Sequence, residues 1–308
     1  MTKANATALS ETLLEWYAHD GRAHLPWRET RDAYRILVSE FMLQQTQVDR
    51  ALPKYEAFVE RFPTVEALAA ASQSDVLRLW QGLGYNSRAV RLHALAKAVM
   101  QRFGGCIPSE LPALLDLPGV GAYTAAALRA FAFECDEPAM DTNIRRVVHR
   151  WLLGIEYPPL ASAADLDQMA RRLIPAGRGH AWNSAMMDLG ATVCKARTPD
   201  CARCPMRARC AAAPVNVVAL SEARARYGRK RSPQEALSFP KTTRFARGRI
   251  VDRLRALPPG ENISFSDLHC DLQGALHERS VEDITGIVRS LERDGLVAVL
   301  PSGVRLRD

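Results

Sequence analysis

The segment "CKARTPDCARCPMRARC", residues 194 to 210, gathers four of the chain's seven cysteines and sets basic residues among them. The other three, Cys106, Cys135 and Cys270, are scattered. In a reducing compartment, clustered thiols ligate metal more often than they build a disulfide framework. The spacing is Cys194-x6-Cys201-x2-Cys204-x5-Cys210, one Cys-x2-Cys pair with a single thiolate on each side. That pattern closes a compact loop around one centre. Structural zinc usually joins two short pairs. Iron–sulfur clusters also take four thiolates, often with a proline after a ligand, as at Cys204-Pro205. Spacing alone leaves zinc and an iron–sulfur cluster both open.

The chain around this loop is long enough, at 308 residues, for one large or two modest domains. Its apolar and charged fractions, 47% and 24%, are ordinary for a soluble globular protein. No apolar run approaches the roughly 20 residues needed to span a bilayer. The N-terminus "MTKANATALSETLLEWYAHDG" carries an acidic residue in its apolar stretch and reads as an amphipathic helix, not a signal peptide. The expectation is a cytoplasmic, nucleoid-associated protein with no membrane partner. The net charge of +7 is local: residues 220–255 hold eleven Lys/Arg against three Asp/Glu, so the remainder stands at −1. A polyanion would meet local patches and this one basic segment, which reads equally as a solvated linker.

Helical periodicity dominates up to about residue 215. Leu9, Leu13, Trp16 and Tyr17 recur on one face, as do Leu92, Leu95, Ala96, Val99 and Phe103. Gly and Pro punctuation separates the runs at "RFPT", "GLGY", "FGGCIP" and "LPGVG". With no convincing alternating strand pattern, this region is expected to be all-α. Residues 216–244 are basic, broken by Gly and Pro, and read as a linker. Residues 245–308 show helical patterns near 245–256, 264–270 and 280–293, with Ser280 and Asp283 forming a capping box. "LVAVL", "PSG" and "VRLR" then predict a β-hairpin, so the tail reads as a small winged-helix-like domain, or as a packing appendage without a ligand.

Chemistry-bearing residues fall in the helical region. "LDLPGVGAYTAAAL", residues 115–128, turns at Gly119 and Gly121 into an Ala-rich helix. Such a turn lets backbone approach an anion, and a helix on either side fits a helix–hairpin–helix gripping one phosphate. No strand precedes it, which counts against a dinucleotide site. Asp141, in "PAMDTNIRRVVHRW", stands at a helix start, where it serves as an N-cap and the helix terminus favours its ionised form. Glu40 interrupts the apolar run of "RILVSEFMLQQTQVDR". Burial there would raise its pKa and keep a proton for general-acid work, unless it is a structural Glu paired with an arginine. Two carboxyls in different environments are able to divide acid and stabiliser roles, as in glycoside hydrolysis.

The motifs "LPWR" (25–28), "SEFMLQQTQV" (39–48), "GLGY" (82–85), "LPGVGAYTA" (117–125), "MDTN" (140–143), "AMMDLGATVC" (185–194) and the cysteine loop stand in the order seen in MutY-type adenine DNA glycosylases. The chain resembles that family, within the endonuclease III superfamily, over about residues 10 to 212. The resemblance implies a helix–hairpin–helix glycosylase domain over 1–215 and a 4Fe–4S cluster on Cys194, Cys201, Cys204 and Cys210. It implies that Lys195 and Arg197 in the cysteine loop contact phosphate, beside the hairpin of Gly119 and Gly121. By position, Glu40 protonates a flipped adenine at a ring nitrogen. Asp141 stabilises the oxocarbenium-like sugar, by its charge or through a transient covalent bond, while Tyr123 and Asn143 orient this chemistry. Bifunctional relatives hold a Schiff-base lysine at the Tyr123 position. Tyrosine cannot form one, so base excision without efficient strand cleavage is expected. Gln45, Thr46 and Tyr85 match residues that probe or wedge into the duplex opposite the extruded base.

The implied partner is double-stranded DNA carrying a mispair, adenine opposite 8-oxoguanine or guanine, met by a monomer. The likeness departs in two places. Residues 245–308 leave no room for the Nudix-like domain of many relatives and resemble the tail of truncated actinobacterial-type members. Thr142 stands where many members have Gly. The rival within the superfamily is a mismatch thymine or uracil glycosylase. The rival outside it is a non-enzymatic iron–sulfur DNA-binding regulator, which would need neither Glu40 nor Asp141.

Overall fold

In the computed structural model the chain is described over residues 3–228, 238–276 and 279–308. It is mostly helical, with one two-stranded antiparallel sheet among the described residues. Two compact units are each assembled from discontinuous segments. No helix of the described residues is long and apolar enough to cross a membrane.

The first unit comprises Met1–Glu40, Pro108–Asp116 and Val120–Lys230. Its core gathers Leu13 and Leu14 from the N-terminal helix Lys3–Asp20, Trp182 and Met186 from Gly179–Asp188, and Ile144, Val147, Val148 and Trp151 from Thr142–Leu152. Those last four recur at the i, i+3, i+4, i+7 spacing that puts one apolar stripe on a helix. Local chemistry starts the helices: Asp141 caps Thr142–Leu152, and Ser162 with Asp165 forms a capping box for Ala163–Arg171. Two quoted motifs, "LPWR" and "AMMDLG", meet in this unit. Arg28 of the first donates to buried Asp188 of the second at 3.1 Å, and Arg22 adds a second fork at 2.6 and 3.0 Å.

The second unit comprises Phe41–Ile107, Leu117–Gly119 and Arg231–Asp308. Helices Val48–Arg61, Val65–Ala70, Gln73–Leu79 and Ser87–Phe103 surround a cluster in which Phe58 meets Phe62 and Trp80 edge-on. Thr64 and Ser72 cap the two short helices. Leu92, Leu95, Ala96 and Val99 are buried as their periodicity predicts.

The C-terminal helices Thr243–Arg255, Phe265–Leu276 and Val281–Arg293 lead into a hairpin of Val297–Leu300 and Gly303–Leu306, and Ile263 bridges to Val304 as a third short edge. This is the winged-helix-like order, and the Ser280–Asp283 capping box forms. The module belongs to the same compact unit as residues 41–107. Gln73 donates to Gly295 O at 2.6 Å, Arg78 to Leu257 O at 3.1 Å, and Arg255 to Leu77 O and Asn86 Oδ1 at 2.7 and 2.8 Å.

Of the segment expected to be a linker, residues 229–237 lie outside the described residues. The part before them holds a helix, Val217–Tyr227, begun by Asn216, whose side chain accepts from the N–H groups of Val218 and Ala219. Only Leu220 of that helix is buried, so it carries little apolar periodicity to read.

Candidate active site

Glu40 lies on helix Ala33–Leu43 among Ile36, Leu37, Phe41 and Met42, all buried. The helix needs an apolar residue at that position to complete its inward face, and Glu40 is 7% exposed. Burial is the main reason its pKa rises, to about 7; the charge of Asp141 adds to the rise, while a hydrogen bond with Tyr123 and the charge of Arg28 oppose it. Arg28 is thus the weakest of these influences, which disfavours the reading of Glu40 as a structural ion-pair partner.

Tyr123 lies in the first turn of helix Ala122–Phe131, immediately after Gly121. Burial, then the neighbouring Glu40 and Asp141, push its hydroxyl well above the ordinary tyrosine range, so it stays a neutral donor. Glu40, Tyr123 and Asp141 therefore converge, each within electrostatic reach of the other two. Tyr123 and Asp141 are partly exposed while Glu40 lies deeper.

Asp141 accepts from Ile144 N–H at 2.7 Å through Oδ1 and from Asn143 Nδ2 at 2.9 Å through Oδ2. Its pKa is raised, not lowered as the helix start alone would suggest. Burial outweighs the hydrogen bonds and the Arg146 charge that favour the anion. Asn143 is held in turn: Arg146 donates to Asn143 Oδ1 and to Gly190 O, both at 2.8 Å, and to Cys194 O at 2.9 Å. A Cβ at Gly190 would stand 2.6 Å from Asn143 Cβ, so only glycine permits this approach.

The cysteine loop follows the π-helical turn Leu189–Val193. Cys194, Cys201, Cys204 and Cys210 line one cavity with Arg150, Pro199 and Asp200. Burial pushes the Cys204 thiol up to about 11, and the other three thiols add to the rise, so all four are near neighbours. Among the described residues no three His, Cys, Asp or Glu side chains form a group that could hold a metal ion. The thiols share a cavity without that tighter grouping. Arg150, 1% exposed and paired with Glu156 at 2.6 Å, donates to Lys195 O at 2.8 Å and Ala196 O at 3.0 Å. With its backbone so fixed, the loop leaves the Lys195 and Arg197 residues exposed.

At the hairpin, helices Leu111–Leu115 and Ala122–Phe131 flank the turn. Gly119 has φ +80°, and a Cβ there would meet Arg91 Cβ at 3.0 Å. Gly121 has an ordinary backbone and open space where a Cβ would stand, so it is not held to glycine by a special conformation.

Within the second unit, Gln45 (φ 58°) and Tyr85 (φ 45°) both hold left-handed backbone, uncommon for such residues and costly enough to need support. Buried Arg88 supplies it. Its guanidinium donates to Gln44 O at 2.6 Å, Thr46 Oγ1 at 3.1 Å, and Leu83 O and Gly84 O at 3.1 Å, tying the two loops together. Sequence reading missed Arg88, Arg146 and Arg150. Arg146 and Arg150 fall three and seven residues after Asn143, on one helix face, a signal that was present.

Comparison with known proteins follows the same lines. Residues 38–172 match the model of the HhH-GPD superfamily base excision DNA repair protein. The chain is 44% identical over 247 residues to an adenine DNA glycosylase of Mycolicibacterium smegmatis, covering 79% of each. It is 40% identical over 254 residues to one of Mycobacterium tuberculosis, covering 80% of this chain and 79% of the relative. The structure of a thermostable thymine-DNA glycosylase superposes with a TM-score of 0.60 at 32% identity, over 66% of this chain and 94% of that one. On the identity and coverage it shares with these relatives, the chain belongs to the adenine DNA glycosylase family of the HhH-GPD superfamily.

Proposed function

We propose that this protein is a monofunctional adenine DNA glycosylase, removing adenine opposite 8-oxoguanine or guanine and leaving an abasic site. The observation that carries it is the convergence of a buried Glu40 titrating near 7 with Tyr123 and Asp141. At neutral pH about half of Glu40 carries its proton, so it is able to give one to a ring nitrogen of an everted purine. Protonation turns the base into a better leaving group. The bond from sugar to base then lengthens, positive charge grows on the sugar, and the Asp141 carboxylate, oriented by Ile144 N–H and Asn143, stabilises it. Tyr123 keeps its hydroxyl proton and holds the Glu40 carboxyl by a hydrogen bond. It has no amine for a Schiff base, which supports excision without strand cleavage.

Gln45, Thr46 and Tyr85 enter or probe the duplex opposite the extruded base, offsetting the few kcal/mol that flipping costs. Gly119 and Gly121 present backbone to one phosphate, and Lys195 and Arg197 reach others. The partner is mispaired double-stranded DNA in the cytoplasm, on the nucleoid. The enzyme acts as a monomer, because one chain supplies Glu40, Tyr123 and Asp141.

Cys194, Cys201, Cys204 and Cys210 hold a 4Fe–4S cluster, supported by their shared cavity and by the nearness of Cys194, Cys201 and Cys210 to Cys204. That group supplies structural cross-linking of the loop and takes no part in breaking the glycosidic bond.

The greater identity and coverage of the adenine-specific relatives favour adenine over thymine as the substrate base. Duplexes carrying A opposite 8-oxoguanine, A opposite G, T opposite G and U opposite G are expected to give adenine release from the first two, with strand breaks only after alkali. Dominant release of thymine or uracil would overturn the assignment. Because Glu40 is protonated below about 7, the single-turnover rate should fall as pH rises, by roughly tenfold between pH 6 and 8. Glu40→Gln should lower it by at least about a hundredfold and remove that pH dependence; a profile unchanged by the substitution would contradict the acid role. Elemental analysis should find about four irons per chain, and a single zinc would refute the cluster.

A further inference from the structure

The basic helix Thr243–Arg255 of the C-terminal module contributes nothing to the chemistry above, yet one of its arginines is placed unlike its neighbours. Arg247 pairs with Asp294, Arg253 with Asp271 at 2.6 Å, and Arg255 with Asp252 at 2.7 Å. Arg244 and Arg249 are both exposed and have no ion pair among the described residues, and of the two it is Arg244 that lies against aromatic rings. Its guanidinium carbon lies 3.9 Å from the centroid of the Tyr85 ring. Arg88 faces the same ring at 5.6 Å. Phe239, 56% exposed, stands 5.7 Å from Arg244 and packs edge-on against Phe245.

Two features make this placement costly unless an anion or a ring repays it. Thr242 caps the helix by accepting from Phe245 N–H, which puts Arg244 in the first turn, where the helix dipole disfavours a cation. Arg88 adds a second positive charge close by, strongly enough that Arg244 contributes to lowering the Arg88 pKa. Stacking on Tyr85 uses one face of the guanidinium and leaves its N–H edge for another acceptor.

We propose that Arg244 is a positioning residue for Tyr85, delivered by the C-terminal module: its guanidinium stacks on the ring, holds it in the pose that enters the duplex, and offers its free edge to a backbone phosphate. The proposal rests on the reading of Tyr85 as a duplex-entering residue. The module then acts on recognition of the duplex opposite the extruded base and leaves the Glu40–Asp141 chemistry untouched. Four hydrogen bonds between the module and residues 73–86 hold Arg244 over the loop.

The test is binding of the full-length protein to a duplex with A opposite 8-oxoguanine, combined with single-turnover excision at saturating protein. Arg244→Ala should weaken affinity by about three- to tenfold and reduce the salt slope by about one, while the pH dependence of the saturated rate, set by Glu40, keeps its shape. Arg244→Lys should restore the salt slope and leave most of the affinity loss, because an ammonium does not stack as a planar fork. In a Tyr85→Ala background, Arg244→Ala should add little, whereas combined with Lys195→Ala its effect should add in full. Additivity with Tyr85→Ala, or unchanged affinity in Arg244→Ala, would overturn the proposal. A Tyr85→Ala protein that binds as tightly as wild type would sink the reading of Tyr85 and the proposal with it.

Discussion

A carboxyl group keeps its proton at neutral pH when water is withheld from it, and a like charge nearby strengthens the effect. Glu40 meets both conditions: burial is the larger cause of its rise to about 7, and the charge of Asp141 adds to it. Three elements of the chain bring that pairing about. Helix Ala33–Leu43 carries Glu40 inward with its apolar face, the hairpin delivers Tyr123 at the start of the next helix, and the cap of Thr142–Leu152 is Asp141 itself.

The same unit holds its irregular backbone with arginines. Arg146 joins Asn143, Gly190 and Cys194; Arg150 fastens Lys195 and Ala196; Arg28 and Arg22 clamp Asp188. A guanidinium offers five donors in a planar fork, enough to satisfy several carbonyls that no helix or sheet pairs. These bonds form a continuous path from Asp141 through Asn143 and Arg146 to the backbone of the first loop cysteine. The geometry of the carboxylate and the shape of the cysteine loop are therefore not independent. In the second unit Arg88 performs the same task for the loops bearing Gln45, Thr46 and Tyr85.

Residues whose chemistry clashes with their surroundings were legible in sequence. Glu40 stood out as a charge in an apolar helix, Asp141 as a cap before "NIRRVV", and the thiols as a cluster. The C-terminal hairpin and the Ser280 capping box were equally plain, because turn and cap chemistry is local. What escaped notice was set by distant partners. Arg88 donates mostly to carbonyls, which any residue supplies, so no side-chain pattern announces it. Asp188 is paired with residues more than 150 positions away. The sign of the Asp141 shift was also hidden, since helix position argues for a lower value and only the folded burial raises it. Helix Val217–Tyr227 was read as linker because a helix with one buried residue writes almost no periodicity.

The account requires Asp141 to act through its negative charge. Asn at position 141 keeps the helix cap and the shape of the side chain while removing that charge. Single-turnover excision by Asp141→Asn, on a duplex with adenine opposite 8-oxoguanine, is the most direct measurement. Excision should fall by at least about a hundredfold, with affinity for the duplex largely retained. An Asp141→Asn protein that breaks the glycosidic bond at the wild-type rate would contradict the mechanism.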